Sequence, residues 1–330
     1  MIPRQKMLGR RFFRFAVAIL VAAIFAGPLH AQVGEQSIRI IFPFAAGGSG
    51  DAAARLIANN MRAALNRSVI VENRPGADGR IGVRAVKEAV PDGNTLLLTP
   101  IAPISVYQHV YGHLDYDPIH DFIPIAEVGT FDFGIAVGPH MEAKTLNDLV
   151  AWAKANPSQA NFAIPAAGTL PDFLGVMFAR AAGIDLRAVP YHGSAAGLAD
   201  LIAGHIPIEI TTTADLVQMH KDGQIHVLAT SGKERSPFLP DVPTLRESGY
   251  DLAATGWYGM FAPAKTPPDV VQRLNKEIVD AVHSPEFRDR MLAFGLQPTG
   301  TSADAFAKIV EYDSELWAPA IKASGFKPQE

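Results

Sequence analysis

The sequence predicts an α/β protein of two domains, and three observations carry the prediction. From residue 36 onward, short β-branched or aliphatic runs alternate with helical patterns, which implies mostly parallel sheets covered by helices. Once an N-terminal leader is set aside, 299 residues remain, more than one hydrophobic core usually serves. Two strand-to-helix junctions, one in each half of the chain, are glycine-bearing loops, and ligands of open α/β sheets bind outside the strand ends where such loops lie.

Residues 1–31 read as a secretory signal peptide. Arg4, Lys6, Arg10, Arg11 and Arg14 precede an uncharged apolar run over 15–26, and Gly27-Pro28-Leu29-His30-Ala31 supplies a small-residue cleavage site after Ala31. The run is 12 residues long, against the ~20 that a membrane span needs. Arg10-Arg11-Phe12-Phe13-Arg14 partly resembles a twin-arginine signal, although paired arginines are common in ordinary leaders and the general export route is favoured. The mature chain is expected in the periplasm of a Gram-negative cell, acting as a monomer. Losing the leader's five basic residues and no acidic ones takes the net charge from −4 to −9, which argues against a nucleic-acid partner. There are no cysteines, hence no disulfide framework, thiolate metal site, Cys nucleophile or lipidated N-terminal Cys.

Strands are predicted at 38–42, 69–71, 95–98, 133–137, 161–164, 188–191, 208–210 and 225–229, each an aliphatic or β-branched run. The first ends in Pro43-Phe44-Ala45-Ala46-Gly47-Gly48-Ser49-Gly50-Asp51 and leads into an Ala-rich helix over 52–65. Converging N–H groups of a glycine loop and the positive end of a helix make a cradle for a small anion such as a carboxylate; a tight turn that merely needs glycine is the other reading. The phosphate motifs do not fit: no Gly-Lys-Ser/Thr follows, and G-x-G-x-x-G fails at Asp51 and Ala52. Asp51, in the first helical turn, suits the helix dipole and can brace the loop.

Thr145-Leu146-Asn147-Asp148 is a capping box opening a helix over 146–155 that Asn156-Pro157 ends. The second loop, Pro165-Ala166-Ala167-Gly168-Thr169-Leu170-Pro171-Asp172, leads into a helix over 173–182, with Thr169 as N-cap and Asp172 placed to reach back to it. Helices are also predicted over 198–203 and 270–283, and Thr301-Ser302-Ala303-Asp304 opens a last one.

The chain also resembles a family. Pro43-Phe44-x-x-Gly47-Gly48-x-x-Asp51, Val71-Glu72-Asn73-Arg74-Pro75-Gly76-Ala77-x-Gly79-x-Ile81-Gly82, Pro91-Asp92-Gly93-x-Thr95-Leu96-Leu97 and Tyr116-Asp117-Pro118-x-x-Asp121-Phe122-x-Pro124 are laid out as in the Bug (Bordetella uptake gene) receptors of tripartite tricarboxylate transporters. Later motifs agree, among them Leu239-Pro240-Asp241-Val242-Pro243-Thr244 and Gly256-Trp257-Tyr258-Gly259-Met260-Phe261-Ala262-Pro263. The resemblance covers essentially the whole mature chain. It implies a two-domain periplasmic binding protein of the type II, flytrap kind, with two chain crossovers and an interdomain cleft. The first domain would hold 32–131 and 255–330, the second 132–254.

The resemblance further implies that a ligand carboxylate is held by backbone N–H groups and bridging waters at the first loop, and that the second loop reads the rest of the ligand. Carried onto this chain, that names Phe44, Ala46, Gly47, Gly48 and Asp51 on one side and Gly168 and Thr169 on the other, with Asp200 in a water network. Many relatives have histidine where Asp172 stands and lysine or arginine where His192 stands. Both departures make the second side less positive and weigh against a second carboxylate on the ligand. A ligand hydroxyl, amide or ammonium facing Asp172 is one role for it; completing the capping box is the other.

No cofactor or metal is expected. His109, His113, His120 and the nearby aspartates lack the spacing of a metal site, and G-x-S-x-G around Ser49 fails at Asp51. Trp257, Tyr258 and Phe261 read as core aromatics that a cleft could also use. The expected function is a receptor that captures a small organic acid and delivers it to the permease subunits of a tripartite transporter. The alternatives are a ligand sensor docking on a signalling kinase, or a periplasmic hydrolase or lyase with Asp51 or Asp172 as base.

Overall fold

The computed structural model describes residues 37–324, so the leader and its cleavage site lie outside the described residues. The alternation expected from the sequence is present. Strand β1 (Ile38–Phe42) passes through the first loop into α1 (Ser49–Leu65), β2 (Val69–Asn73) follows, and α2 (Arg80–Lys87) leads to β3 (Thr95–Pro100). These three strands pair in parallel in the order β2-β1-β3. Buried Ile38, Ile40 and Ile41 of β1 and Ala53, Ala54, Ile57, Ala58 and Met61 of α1 belong to one core, alanine letting the helix lie close to the sheet.

Strand β4 (Phe122–Val137) is 16 residues long, roughly 50 Å of extended chain. After it come α3 (Leu146–Ala155), β5 (Asn161–Ile164), α4 (Leu170–Ala182), β6 (Arg187–Pro190), α5 (Ser194–Ala203), β7 (Ile208–Thr212), α6 (Thr213–Lys221) and β8 (His226–Thr230). The chain then returns through β9 (Thr255–Pro263) to α7 (Pro268–His283), α8 (Pro285–Ala293), the short β10 (Gln297–Pro298) and α9 (Ala303–Ser324).

Parallel pairing is confined to the flanks, which corrects the expectation of mostly parallel sheets. β5 pairs in parallel with β6 and β7, whereas β9 runs antiparallel to β3 and β4, and β4 runs antiparallel to β7 and β8. The reason is β4 itself. Residues 122–132 pair with β9, and residues 133–137 pair with β7 and β8, so one strand serves both halves of the sheet and the chain comes back at residue 255. Of β4, the sequence pattern predicts only residues 133–137, and not the part that pairs with β9. Two register shifts, at Pro124/Ala126 and Glu127/Gly129, break the regular alternation of the first.

Around the junction the chain is tied by hydrogen bonds. Phe133 N donates to Ser231 Oγ at 2.9 Å, Ser231 Oγ donates to Ala254 O at 2.5 Å, and Thr213 Oγ1 donates to Asp132 O at 3.1 Å.

Helix α2 is pressed against the start of the first loop. A Cβ on Gly82 would stand 2.8 Å from Pro43 Cα and 2.9 Å from Arg74 O, both backbone. Alanine is the better helix former by about 1 kcal/mol in an open helix interior, but here the clash outweighs it. Gly82→Ala is expected to lower stability by roughly 1–3 kcal/mol, read as a lower urea midpoint at unchanged slope; a higher midpoint would mean that α2 can back away from Pro43.

Candidate ligand-binding cleft

Both glycine loops are braced in the same way, by an aspartate from the first helical turn. In the first loop Gly47 has φ +102°, a conformation that disfavours residues with a Cβ. Its N–H donates to Asp51 Oδ2 at 3.2 Å. Asp51, 5% exposed, also accepts from Asn73 Nδ2 at 2.9 Å and from Arg55 Nε at 3.0 Å, while Asn73 Nδ2 donates to Phe44 O at 3.2 Å. Burial by itself would raise the Asp51 pKa; the bonds from Arg55, Asn73 and Gly47 outweigh it and hold the carboxyl below the ordinary aspartate value.

In the second loop Gly168 has φ +67°, and its N–H donates to Asp172 Oδ2 at 2.9 Å. The capping box expected here is not formed. Thr169 Oγ1 donates instead to Ala166 O at 2.7 Å, so the hydroxyl is turned away from the helix start and Asp172 reaches one residue further back. Burial is the main influence on Asp172 and raises its pKa, with the charge of Asp78 adding to it and the Gly168 N–H opposing it.

A cavity of about 70 Å³ lies between the loops, room for a handful of waters or a small ligand. Four helices begin at it: α1 after Gly48, α4 after Thr169, α5 after Gly193 and α6 after Thr212. None of the four has a side-chain N-cap bond. Elsewhere, α3 carries the full Thr145–Asp148 capping box and α8 is capped by Ser284. Helix starts leave their first N–H groups without intrahelical acceptors and carry partial positive charge, so their convergence favours an anion.

The rest of the cavity is apolar. Phe42, Phe44, Phe131, Phe133 and Tyr258 form its aromatic wall, with Phe131 and Tyr258 ring centroids 4.6 Å apart. Among the described residues lining it there is no Lys, Arg or His.

Hydrogen bonds join the two sides at and around the cavity. Ala45 N donates to His192 O at 3.0 Å, Ala167 N to Asp78 Oδ1 at 3.2 Å, and Ser49 N to Asp215 Oδ1 at 2.6 Å. Ser49 Oγ lies 3.2 Å from Thr212 Oγ1 and 3.0 Å from Tyr258 OH.

Of the residues named from sequence, Phe44, Gly48 and Thr169 line the cavity. Gly47, Asp51, Gly168 and Asp172 stand behind it as the braced loops, together with Ala46 between Ala45 and Gly47. Asp200 is on the outer side of α5, accepting from Tyr191 OH at 2.7 Å and lying 3.2 Å from His205 Nδ1. Tyr258 is a cleft residue, whereas Trp257 and Phe261 pack on Phe306 in the core. Ser194, Thr211, Thr212 and Asp215 were missed; a helix start following the strand at 208–210 was the available signal. His109 meets Ser314, His113 meets Asp115 and His120 meets Asp117, so the histidine-rich stretch does not converge on one point.

A cleft built by uncapped helix starts from two halves of one sheet is the arrangement of a solute receptor, and comparison with known proteins agrees. The tripartite tricarboxylate transporter family receptor model matches residues 53–326. The chain belongs to this family. Protein BugT of Bordetella pertussis (strain Tohama I) is 30% identical over 315 residues, covering 94% of this chain and 97% of BugT. The solved periplasmic binding protein BugD is 32% identical with a TM-score of 0.85, covering 89% of this chain and 99% of BugD. R. palustris Rpa4515, solved with adipate, is 26% identical with a TM-score of 0.86, covering 90% of this chain and all of that one. The receptor therefore has the two-domain periplasmic binding protein fold expected from its sequence, in a family whose members are periplasmic receptors.

The two bracing aspartates respond oppositely to pH. Asp51 has a lowered folded pKa, so its contribution is complete above the ordinary value of 3.8 and is lost as pH falls through the lower folded value. Asp172 has a raised one, so ionising it costs stability as pH rises from 3.8 through the higher folded value. At pH 7, Asp51→Asn is expected to lower Tm by about 2–4 °C, because it removes the charge that Arg55 pairs with. Asp172→Asn keeps an acceptor for the Gly168 N–H without a buried charge, and its Tm at pH 7 should stay level or rise. Equal falls in the two variants by calorimetry would contradict this account.

Proposed function

We propose that the protein is a periplasmic receptor that closes two lobes on a small carboxylate and presents the closed form to the membrane subunits of a tripartite transporter. The observation that carries the reading is the meeting of four helix starts without local side-chain caps in one cavity with no basic side chain among its described lining residues; Asp215 already accepts the first amide of α1, which leaves the starts of α4 and α5 for a ligand anion. Among the described residues the lobes are 37–131 with 255–324, and 132–254; the change of partners along β4 and the return at β9 support that division. Family membership supports the transporter as recipient, and the adipate of a structural neighbour supports an organic acid as ligand. A ligand touching loops on both lobes stabilises the closed arrangement by its differential affinity for it. Charge-assisted bonds of roughly 1.5–3 kcal/mol each, three or four in number, suffice for micromolar capture after the entropy of association.

The reading is tested by calorimetry on the mature chain with a panel of small acids and their uncharged primary amides. At least one acid should bind and raise Tm, ligand at a hundred times its Kd adding about 2.7 kcal/mol, while the matching amides do not. Gly48→Val should abolish that binding in a folded protein. Gly48 has an ordinary extended backbone, so the effect is steric: a Cβ there would lie 2.9 Å from Ser194 Oγ across the cavity. Binding of acids and amides alike, or full affinity in Gly48→Val, would overturn the cradle.

A further inference from the structure

We propose that Asp215 restricts this cavity to monocarboxylates with an apolar body and a hydrogen-bond donor at the far end; the proposal rests on the carboxylate reading above. Asp215 stands in the first turn of α6, and its side chain lies in the cavity wall. Its Oδ1 accepts the Ser49 N–H at 2.6 Å, the first amide of α1. Its Oδ2 accepts from Thr212 Oγ1 at 2.8 Å and Thr211 Oγ1 at 3.3 Å. A carboxylate of the protein thus takes the anion position at the start of α1 while standing in the first turn of α6. The helix starts left for a ligand anion are those of α4 and α5, at Leu170 and Ser194.

Two consequences follow from the chemistry. A carboxylate has about four lone-pair positions, and three are engaged by Ser49, Thr211 and Thr212, so one remains for a hydroxyl or amine of the ligand. A second ligand carboxylate at that end would meet Asp215 with no described Lys, Arg or His in the wall to offset it, and like charges at close range disfavour each other. Selection against dicarboxylates is therefore built in as a repulsive element. Between the two ends, Phe42, Phe44, Phe131, Phe133 and Tyr258 offer ring faces and edges to an apolar body, with the Phe42–Phe44 and Phe131–Phe133 centroids 5.8 and 5.6 Å apart.

The role of accepting from a ligand donor, which the sequence left open for Asp172, belongs on this account to Asp215. Asp172 is turned to Gly168 and lies outside the cavity lining.

The test uses the mature chain and three acids that share a ring and differ only opposite the carboxylate: benzoate, 4-hydroxybenzoate and terephthalate, with adipate as an aliphatic diacid. By calorimetry 4-hydroxybenzoate should bind most tightly, and terephthalate and adipate about tenfold or more below benzoate. In Asp215→Asn the ratio of terephthalate to benzoate affinity should rise about tenfold or more, because the repelling charge is gone. Terephthalate or adipate binding above both monocarboxylates in the parent protein would overturn the role of Asp215 and leave the carboxylate reading intact. An unchanged ratio in a cooperatively melting Asp215→Asn would overturn that role equally. Where the variant does not fold, the order of affinities in the parent protein is decisive by itself. Absence of binding by every acid would overturn the carboxylate reading and this proposal together.

Discussion

Peptide N–H groups that a helix cannot satisfy at its own start are the constraint around which this cleft is arranged. At α3 and α8 a local Thr or Ser side chain satisfies them, and those starts are ordinary. At the cavity the local side chains are withheld: Gly48 and Gly193 have none, and Thr169 turns its hydroxyl to Ala166. Asp51 and Asp172 sit one turn into their helices, yet they hold the amides of Gly47 and Gly168, each just ahead of its cap. The loops are made rigid while the helix starts stay directed at the cavity, which is how a site without basic side chains can favour an anion.

The sheet decides where those starts meet. Because β4 pairs with β9 over its first part and with β7 and β8 over its second, loops at the ends of β1 and β5 face a common space. The junction itself is polar and half-buried. Asp132, where β4 changes partners, has a pKa raised by burial and only partly countered by Thr255. Hydrogen bonds through Ser231 join residues 133 and 254, so the two crossings are tied to each other as well as to their own strands.

Negative charge is handled unevenly around the second half of the cleft. Glu209 of β7 is fully buried beneath α5, its carboxyl oxygens about 3 Å from where a Cβ on Gly197 would stand. Neither oxygen has a hydrogen-bond partner among the described residues. Burial first, then the charges of Asp215 and Asp200, push its pKa well above the usual carboxylate range and favour the neutral acid. Asp215, at the start of the helix that follows β7, instead finds donors on both oxygens. Burial thereby favours the neutral form of one acid in the interior, while donors hold the other at the cavity surface.

How much was legible in the sequence depended on how local the determining contacts were. Helix α3 follows the capping box and the Asn156-Pro157 stop as read, since both signals act within one turn. The two glycine loops were legible as strand–loop–helix junctions because positive-φ glycines and first-turn aspartates are also local. The first half of β4 was not, its alternation broken at Pro124 and Gly129, and neither was the antiparallel centre of the sheet, which strand patterns do not encode. Asp215 was the deepest omission. In sequence it is an acid in a first helical turn, indistinguishable from Asp51 or Asp148, and its contact with Ser49 spans 166 residues. Residue order by itself determined the strands of the two flanks, the capping box of α3, the two glycine loops and the family they spell. Which acids face the ligand space was decided only by tertiary structure, because a carboxylate's partner is whichever donor the fold brings within hydrogen-bonding distance.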